Sequence, residues 1–64
     1  MRILLDEIMA LRNISERQVS DLTGLPRSLV HEIRRGSRPR IDTVEQLAKG
    51  LGVRMRELME SEYL

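Results

Sequence analysis

Arginines carry most of the chemistry that this sequence offers. Ten of the eleven basic residues are arginine, and five of these lie in a short central stretch in which Glu32 is the only acid. The five are Arg27, Arg34, Arg35, Arg38 and Arg40. A guanidinium group presents a planar fork of donors that matches phosphate oxygens and the acceptor edge of guanine. The C-terminus is acidic, and this polarity favours a face that meets phosphate, although a solvated helix surface explains the charge pattern equally well.

The remaining chemistry is sparse. The 64 residues carry a net charge of +1, with one histidine and no cysteine, so neither a disulfide nor a thiolate metal site can support the small core. No nucleophile is paired with a base, and there is no glycine-rich phosphate loop, so we expect no enzymatic activity, no cofactor and no small-molecule ligand. No apolar run approaches the roughly 20 residues that span a bilayer. We expect a single cytoplasmic domain over residues 1–64, or one domain of a longer regulator.

The spacing of apolar residues predicts five α-helices and no sheet. We place these helices at about residues 3–12, 16–23, 26–35, 42–51 and 54–61. The expected inward-facing residues are Leu4, Ile8 and Leu11 in the first helix, Val19 and Leu22 in the second, Val30 and Ile33 in the third, Val44, Leu47, Ala48 and Leu51 in the fourth, and Leu58 in the fifth.

Residues with special backbone preferences mark the ends of these helices. Ser15 and Gln18 have the spacing of a capping box at the start of the second helix, and Pro26 suits the first position of the third. Asn13 is a plausible terminator of the first helix, and Gly24 ends the second because glycine accepts a left-handed conformation. Two short helices joined by a tight turn around Gly24 predict a helix-turn-helix over residues 15–36.

The segment from Ile14 to Gly36, ISERQVSDLTGLPRSLVHEIRRG, resembles the helix-turn-helix of phage repressors, Cro proteins and the XRE regulators. A second segment, PRIDTV followed by Leu47-Ala48 and Leu51-Gly52-Val53, is similar to the fourth helix and exit of that family. The resemblance covers about residues 3–60. It implies a compact, all-α, five-helix, lambda-repressor-like domain that binds double-stranded DNA sequence-specifically as a small transcriptional regulator, with repression as the expected role.

Three departures from the family pattern are informative. The family commonly has Gln, which contacts phosphate, where this chain has Glu16, and a carboxylate there would repel the DNA backbone. A small apolar residue is common where this chain has Ser20. Some members pair an Arg in the first helix with a Glu near the end of the third, and here those positions hold Met9 and Arg34. Because both partners of that pair are replaced, we expect an apolar contact in its place.

In this fold the third helix enters the major groove with its N-terminal residues against base edges. The resemblance places Pro26, Arg27, Ser28 and Glu32 at the base-facing positions. Arg27 can bind guanine bidentately and Glu32 can accept from cytosine, although an intrahelical pair between Glu32 and Arg35 is equally expected. The residues expected to contact phosphate are Ser15, Arg17, His31, Arg35, Arg38 and Arg40.

A symmetric dimer is expected, because one reading head of this size buries too little surface for tight specific binding. The candidate interface is formed by Met55, Met59, Tyr63 and Leu64, and the DNA site is then an approximate palindrome. Alternatively, Met55 and Met59 complete the core of the monomer. The rival function is a protein-interaction module, such as an antitoxin or anti-repressor with the same fold. Glu16 and Glu32 on the would-be DNA face favour that rival, and the five arginines favour DNA.

Overall fold

The computed structural model describes residues 1–64 and contains five helices. They are α1 (Leu5–Arg12), α2 (Glu16–Thr23), α3 (Arg27–Arg34), α4 (Ile41–Leu51) and α5 (Met55–Leu58). The helical fold is confirmed, and the predicted bounds of α2, α3 and α4 agree with the observed ones to within one residue at each end. None of the helices combines the length and the apolar composition needed to cross a membrane.

The expectation of no sheet is wrong, because the two ends of the chain pair as short strands. β1 (Arg2–Ile3) and β2 (Met59–Glu60) are antiparallel, with Arg2 opposite Glu60 and Ile3 opposite Met59. The Leu4 amide also donates to the Leu58 carbonyl at 2.7 Å. The strands contain residues that were predicted to belong to the first and fifth helices. As a result, α1 begins only at Leu5, and α5 ends at Leu58, where the chain becomes extended.

The core is a single cluster of eleven buried apolar residues from all five helices and the α2–α3 turn. They are Leu5, Met9, Val19, Leu25, Val30, Ile33, Val44, Leu47, Ala48, Leu51 and Leu58. All four residues predicted to face inward from α4 belong to this cluster, as do those predicted for α3 and α5. The fold therefore buries α4 along one complete face and packs α2 and α5 against it.

The predicted inward faces of α1 and α2 need correction. In α1, Leu5 and Met9 are buried, whereas Leu11 is 86% exposed. In α2, Leu22 is exposed and Thr23 is buried in its place. The Thr23 hydroxyl donates to the Val19 carbonyl at 2.7 Å, so its polar atom remains satisfied inside the core.

The predicted helix ends follow the expected backbone chemistry. Ser15 Oγ accepts from the Gln18 amide at 3.1 Å, and Gln18 Oε1 accepts from the Ser15 amide at 2.7 Å, which confirms the capping box. Gly24 ends α2 in the left-handed conformation, with φ of +77°. Asn13 takes the same conformation after α1. Pro26 was predicted at the first helical position of α3, but it is the N-cap, and the helix begins one residue later at Arg27.

The helices α2 and α4 approach each other closely at Gly50. A Cβ atom at this position would lie 2.6 Å from both the Leu22 carbonyl oxygen and the Thr23 Cα. Nearby, Gln46 Nε2 donates to the Thr23 carbonyl at 2.8 Å and so satisfies an orphan carbonyl at the end of α2. These contacts hold α2 at a defined height on α4, and through the following turn they position α3.

Candidate nucleic-acid interface

Helix α3 has one face in the core and one face in solvent. Val30 and Ile33 are buried, and Leu29 is half-buried against the same cluster. The opposite face carries polar and charged side chains, and all of them are exposed. They are Arg27, Ser28, His31, Glu32 and Arg35. A helix anchored by its apolar face presents these groups to a partner on a rigid support.

The turn between α2 and α3 is held by side-chain hydrogen bonds. Ser20 Oγ donates to the Leu25 carbonyl at 2.6 Å, and Thr23 Oγ1 accepts from the Leu25 amide at 3.3 Å. The Leu25 side chain is buried below them. Ser20, a departure from the family pattern, therefore satisfies a carbonyl of the turn, and the start of α3 is defined relative to α2.

An ionic cluster joins α1, α2 and α3 beside the exposed face. Glu16 Oε2 lies 2.9 Å from His31 Nδ1 and accepts from Arg34 Nη1 at 3.0 Å. Arg34 Nε donates to Asp6 Oδ1 of α1 at 2.6 Å. Arg27 Nε is 4.0 Å from Glu16 Oε1, at the edge of the cluster. We call these five side chains the Glu16 cluster.

The Glu16 cluster changes two protonation equilibria. The hydrogen bond with His31, helped by the charges of His31 and Arg34, lowers the pKa of Glu16 below its ordinary value, although partial burial opposes the shift. The hydrogen bond to Asp6 raises the pKa of Arg34 above its ordinary value, with a smaller contribution from Glu16. Both groups therefore stay ionised, and the carboxylate of Glu16 is compensated within the protein. Its side chain is only 15% exposed.

The apolar contact expected for Arg34 is wrong, and one of the two alternatives given for Glu32, the ion pair with Arg35, is excluded. Arg34 was expected to lie in an apolar contact near Met9, but it forms ion pairs with Asp6 and Glu16. An ion pair between α1 and α3 is thus present with its acid on α1 and its base on α3. Glu32 forms no ion pair with Arg35, so its carboxylate remains unpaired on the exposed face.

The loop after α3 carries the remaining arginines. Gly36 takes a φ of +108°, and the Ser37 amide donates to the Glu32 carbonyl at 3.0 Å, so the chain turns sharply away from the helix. Arg38 and Arg40 are exposed on this loop. Arg40 Nε lies 3.6 Å from Asp42 Oδ1, which offsets part of its charge, whereas Arg38 has no acidic partner.

The structure places the predicted base-contacting residues together. Pro26, Arg27, Ser28 and Glu32 all lie on α3 or its N-cap, and all are exposed. The residues predicted for phosphate contact come from three neighbouring elements and are also exposed. They are Ser15 and Arg17 at the start of α2, His31 and Arg35 at α3 and its C-cap, and Arg38 and Arg40 in the following loop.

The predicted dimer residues lie near the C-terminus, in α5, in β2 and after β2. Met55 and Met59 are half-buried against the monomer core, and Met59 belongs to β2 rather than to a long fifth helix. Tyr63 and Leu64 follow β2 and are 89% and 68% exposed.

Sequence reasoning missed the roles of three residues of this site. Glu16 was expected to repel DNA, Arg34 to make an apolar contact, and Asp6 was assigned no role. The acid-to-base spacing from Asp6 to Arg34 is 28 residues, so no local pattern indicated the pair.

Comparison with known proteins agrees with this geometry. The family model described as Cro/C1-type HTH DNA-binding domain matches residues 4–62, which is nearly the whole chain. Neither the comparison with individual curated proteins nor that with solved structures gives a significant match.

Proposed function

The chain belongs to the Cro/C1-type helix-turn-helix DNA-binding family, and from this premise we propose that it is a transcriptional repressor that reads double-stranded DNA with α3 in the major groove. One observation carries the proposal. The polar face of α3 is exposed from its first residue, while Val30 and Ile33 anchor the opposite face in the core. An α-helix presented in this way fits the major groove, where each base pair displays a distinct pattern of donors and acceptors.

Base recognition is assigned to the N-terminal half of α3. Arg27 is 66% exposed and its contact with Glu16 is long, so its guanidinium can turn to the O6 and N7 acceptors of guanine. Ser28 lies beside it and can donate or accept. Glu32 has no intramolecular partner and can accept from the N4 amino group of cytosine. Pro26 contributes a rigid apolar contact at the N-cap.

Phosphate contacts are assigned to the groups around α3. Arg17 at the start of α2 and Arg35, Arg38 and Arg40 after the reading face are suited to hold the two flanking strands. The Ser15 hydroxyl already accepts from the Gln18 amide but keeps its own hydrogen for a phosphate oxygen. These contacts supply affinity and register without sequence information.

The proposed assembly is a homodimer on an approximate palindrome. A single module buries about 600–1,000 Å² on DNA, and a two-fold dimer doubles this area with its reading helices one turn of B-DNA apart, about 34 Å. The proposed contact surface is Tyr63 and Leu64, with Met55 and Met59 at its edge. The oligomeric state of Tyr63→Glu, measured by sedimentation with and without DNA, tests this surface. The matched control is Leu11→Glu, at an equally exposed apolar position of α1. Loss of the dimer in both variants, or in neither, contradicts the assigned surface.

The rival function is binding to another protein through the same face, as in an antitoxin or anti-repressor. The unpaired carboxylate of Glu32 on α3 favours this rival. The other acid that was expected to do so, Glu16, is neutralised by His31 and Arg34 and no longer supports it.

Selection from random duplex DNA, followed by titration at several salt concentrations, separates the two functions. Repression through α3 predicts an enriched site whose affinity falls steeply with salt, since neutralised phosphates release their counterions. A partner-protein module predicts no enriched sequence. An enriched site whose binding does not depend on salt also contradicts the assigned phosphate contacts.

A further inference from the structure

The Glu16 cluster restricts the hydrogen-bonding state of the only histidine in the chain. Glu16 is ionised, so both of its oxygens are acceptors, and Oε2 lies 2.9 Å from His31 Nδ1. A hydrogen bond at this distance requires the hydrogen to be on Nδ1. A neutral imidazole with its hydrogen on Nδ1 has only a lone pair on Nε2.

That lone pair matters because half of the His31 side chain is exposed on the polar face of α3. A phosphate oxygen is an acceptor, and it gains nothing from a second acceptor. Phosphate contact at Nε2 therefore requires the doubly protonated imidazole, which donates from both nitrogens. The proton comes from solvent and is bound at Nε2 as the phosphate arrives.

The charged groups nearest His31 come from the Glu16 cluster and from α3 itself. Asp6, Glu7, Glu16, Arg27 and Arg34 line a neighbouring cleft, and His31, which does not line it, is joined to it through Glu16. Glu7 is paired outside the cleft with Arg2. Within the Glu16 cluster itself, two acids balance two arginines, so protonation of His31 brings the cluster to a single positive charge next to the incoming phosphate. On α3, Arg35 lies one turn after His31 and adds to the repulsion that phosphate must relieve.

We propose that Glu16 is a positioning residue that makes DNA binding proton-linked: it holds His31 through Nδ1, so that His31 contacts a DNA phosphate only when it is doubly protonated. The inference rests on the proposed DNA-binding function and adds a regulation to it. Affinity for the DNA site is then expected to rise as pH falls from about 8 to 5. The limit for one proton is a tenfold change in affinity per pH unit.

The test is a pH titration of affinity for the selected duplex at constant ionic strength, using wild type, His31→Gln and Glu16→Gln. We expect the wild-type affinity to fall with rising pH and the His31→Gln profile to be flat. The amide of Gln can accept from Nδ1–H or donate to Nδ1, so Glu16→Gln no longer excludes a neutral imidazole with its hydrogen on Nε2. We therefore expect the affinity of Glu16→Gln to be independent of pH and, at high pH, to exceed the affinity of wild type.

A merely structural role of Glu16 predicts a different result, with Glu16→Gln weakening binding equally at every pH and retaining the slope. That result, or a flat wild-type profile with intact binding, overturns the inference and leaves the proposed function standing. Absence of sequence-specific binding at every pH instead overturns the proposed function, and this inference with it.

A second measurement needs no DNA. Because the chain has one histidine, the imidazole ¹⁵N shifts of the free protein report His31 alone. We expect the neutral ring to carry its hydrogen on Nδ1 in wild type and mostly on Nε2 in Glu16→Gln. A wild-type neutral ring protonated on Nε2 overturns the inference even if both variants fold and bind.

Discussion

The two sides of α2 are held by different kinds of interaction, apolar packing on one side and ion pairs on the other. Towards α4, α2 meets an apolar surface so closely that Gly50 leaves no room for a Cβ atom. Towards α1 and α3, its first residue, Glu16, meets charged groups that are partly open to solvent. The apolar side buries Val19 completely, whereas the ionic side leaves His31 half-exposed.

This difference separates stability from recognition. Burial of apolar surface and close packing supply most of the free energy of folding, and they are sensitive to a single methyl group. Exposed ion pairs contribute little to folding, because solvent and salt screen them. Their geometry nevertheless decides which donors and acceptors the exposed face of α3 presents. We therefore expect changes on the α4 side to unfold the protein and changes on the ionic side to alter binding first.

Among changes at the two sides of α2, the largest effect is expected for Gly50→Ala. Alanine normally stabilises a helix by about 1 kcal/mol relative to glycine, but here its methyl group meets backbone atoms of α2 that cannot move alone. We expect a net loss of about 2–3 kcal/mol in the free energy of unfolding, which corresponds to more than about 8 °C in Tm for a domain of this size. Thermal unfolding measures it, and Lys49→Ala, at an exposed neighbour, serves as the control with little change. An unchanged Tm for Gly50→Ala would show that the helices are not in close contact.

A smaller effect is expected when the link between α1 and α3 is cut. Asp6 and Arg34 are both partly exposed, so the coupling free energy from a double-mutant cycle of Asp6→Asn and Arg34→Gln should be at most about 1 kcal/mol. It should decrease further at high salt. A coupling of several kcal/mol, independent of salt, would make the ionic side as important for folding as the apolar side.

Lowering the pH should decrease the free energy of unfolding, because Glu16 becomes protonated. Its pKa is lower in the folded state than in the unfolded chain, so its contribution to stability is present above the ordinary glutamate pKa of about 4.3 and is lost as pH falls through the lower, folded value. Glu16→Gln should therefore flatten the dependence of unfolding free energy on pH below about pH 4.3. The control is Glu45→Gln, at an exposed position of α4. Equal flattening in both variants would remove the special role of Glu16.

The smallest effect is expected for Leu11→Gln. Leu11 is almost fully exposed on α1, so the variant should stay within about 0.5 kcal/mol of wild type in denaturant unfolding. Met9→Ala, at a buried position of the same helix, should lose about 2–5 kcal/mol. If instead Leu11→Gln proved the more damaging change, α1 would be rotated relative to the observed face.

The sequence predicted the fold best where a helix has only one apolar face. In α4, Val44, Leu47, Ala48 and Leu51 have one helical spacing and Gly52 ends it, so a single orientation buries them all. In α1, apolar residues occupy more than one face, and packing against other helices selected Leu5 and Met9 over Leu11. The paired strands are two residues each, which is too short for any alternating pattern.

The candidate site was predictable only where it depends on the orientation of a single helix. Exposure of Arg27, Ser28 and Glu32 followed from the helix positions of Val30 and Ile33, which point the other way. The Glu16 cluster did not follow, because the side chains that pair in it are 11 to 28 residues apart in sequence and meet only through the packing of α1, α2 and α3. Ionic contacts between helices depend on that packing, and periodicity within one helix does not contain it.

Base reading by α3 is tested most directly by the affinities of wild type, Arg27→Ala and Arg40→Ala for the selected duplex and its single-base variants. Arg27→Ala should lose about 1–3 kcal/mol on the selected site and lose its preference at one position of each half-site. Arg40→Ala should weaken binding to all variants alike and reduce the salt dependence. An Arg27→Ala protein that keeps both the full affinity and the full base preference would contradict the reading of DNA by α3.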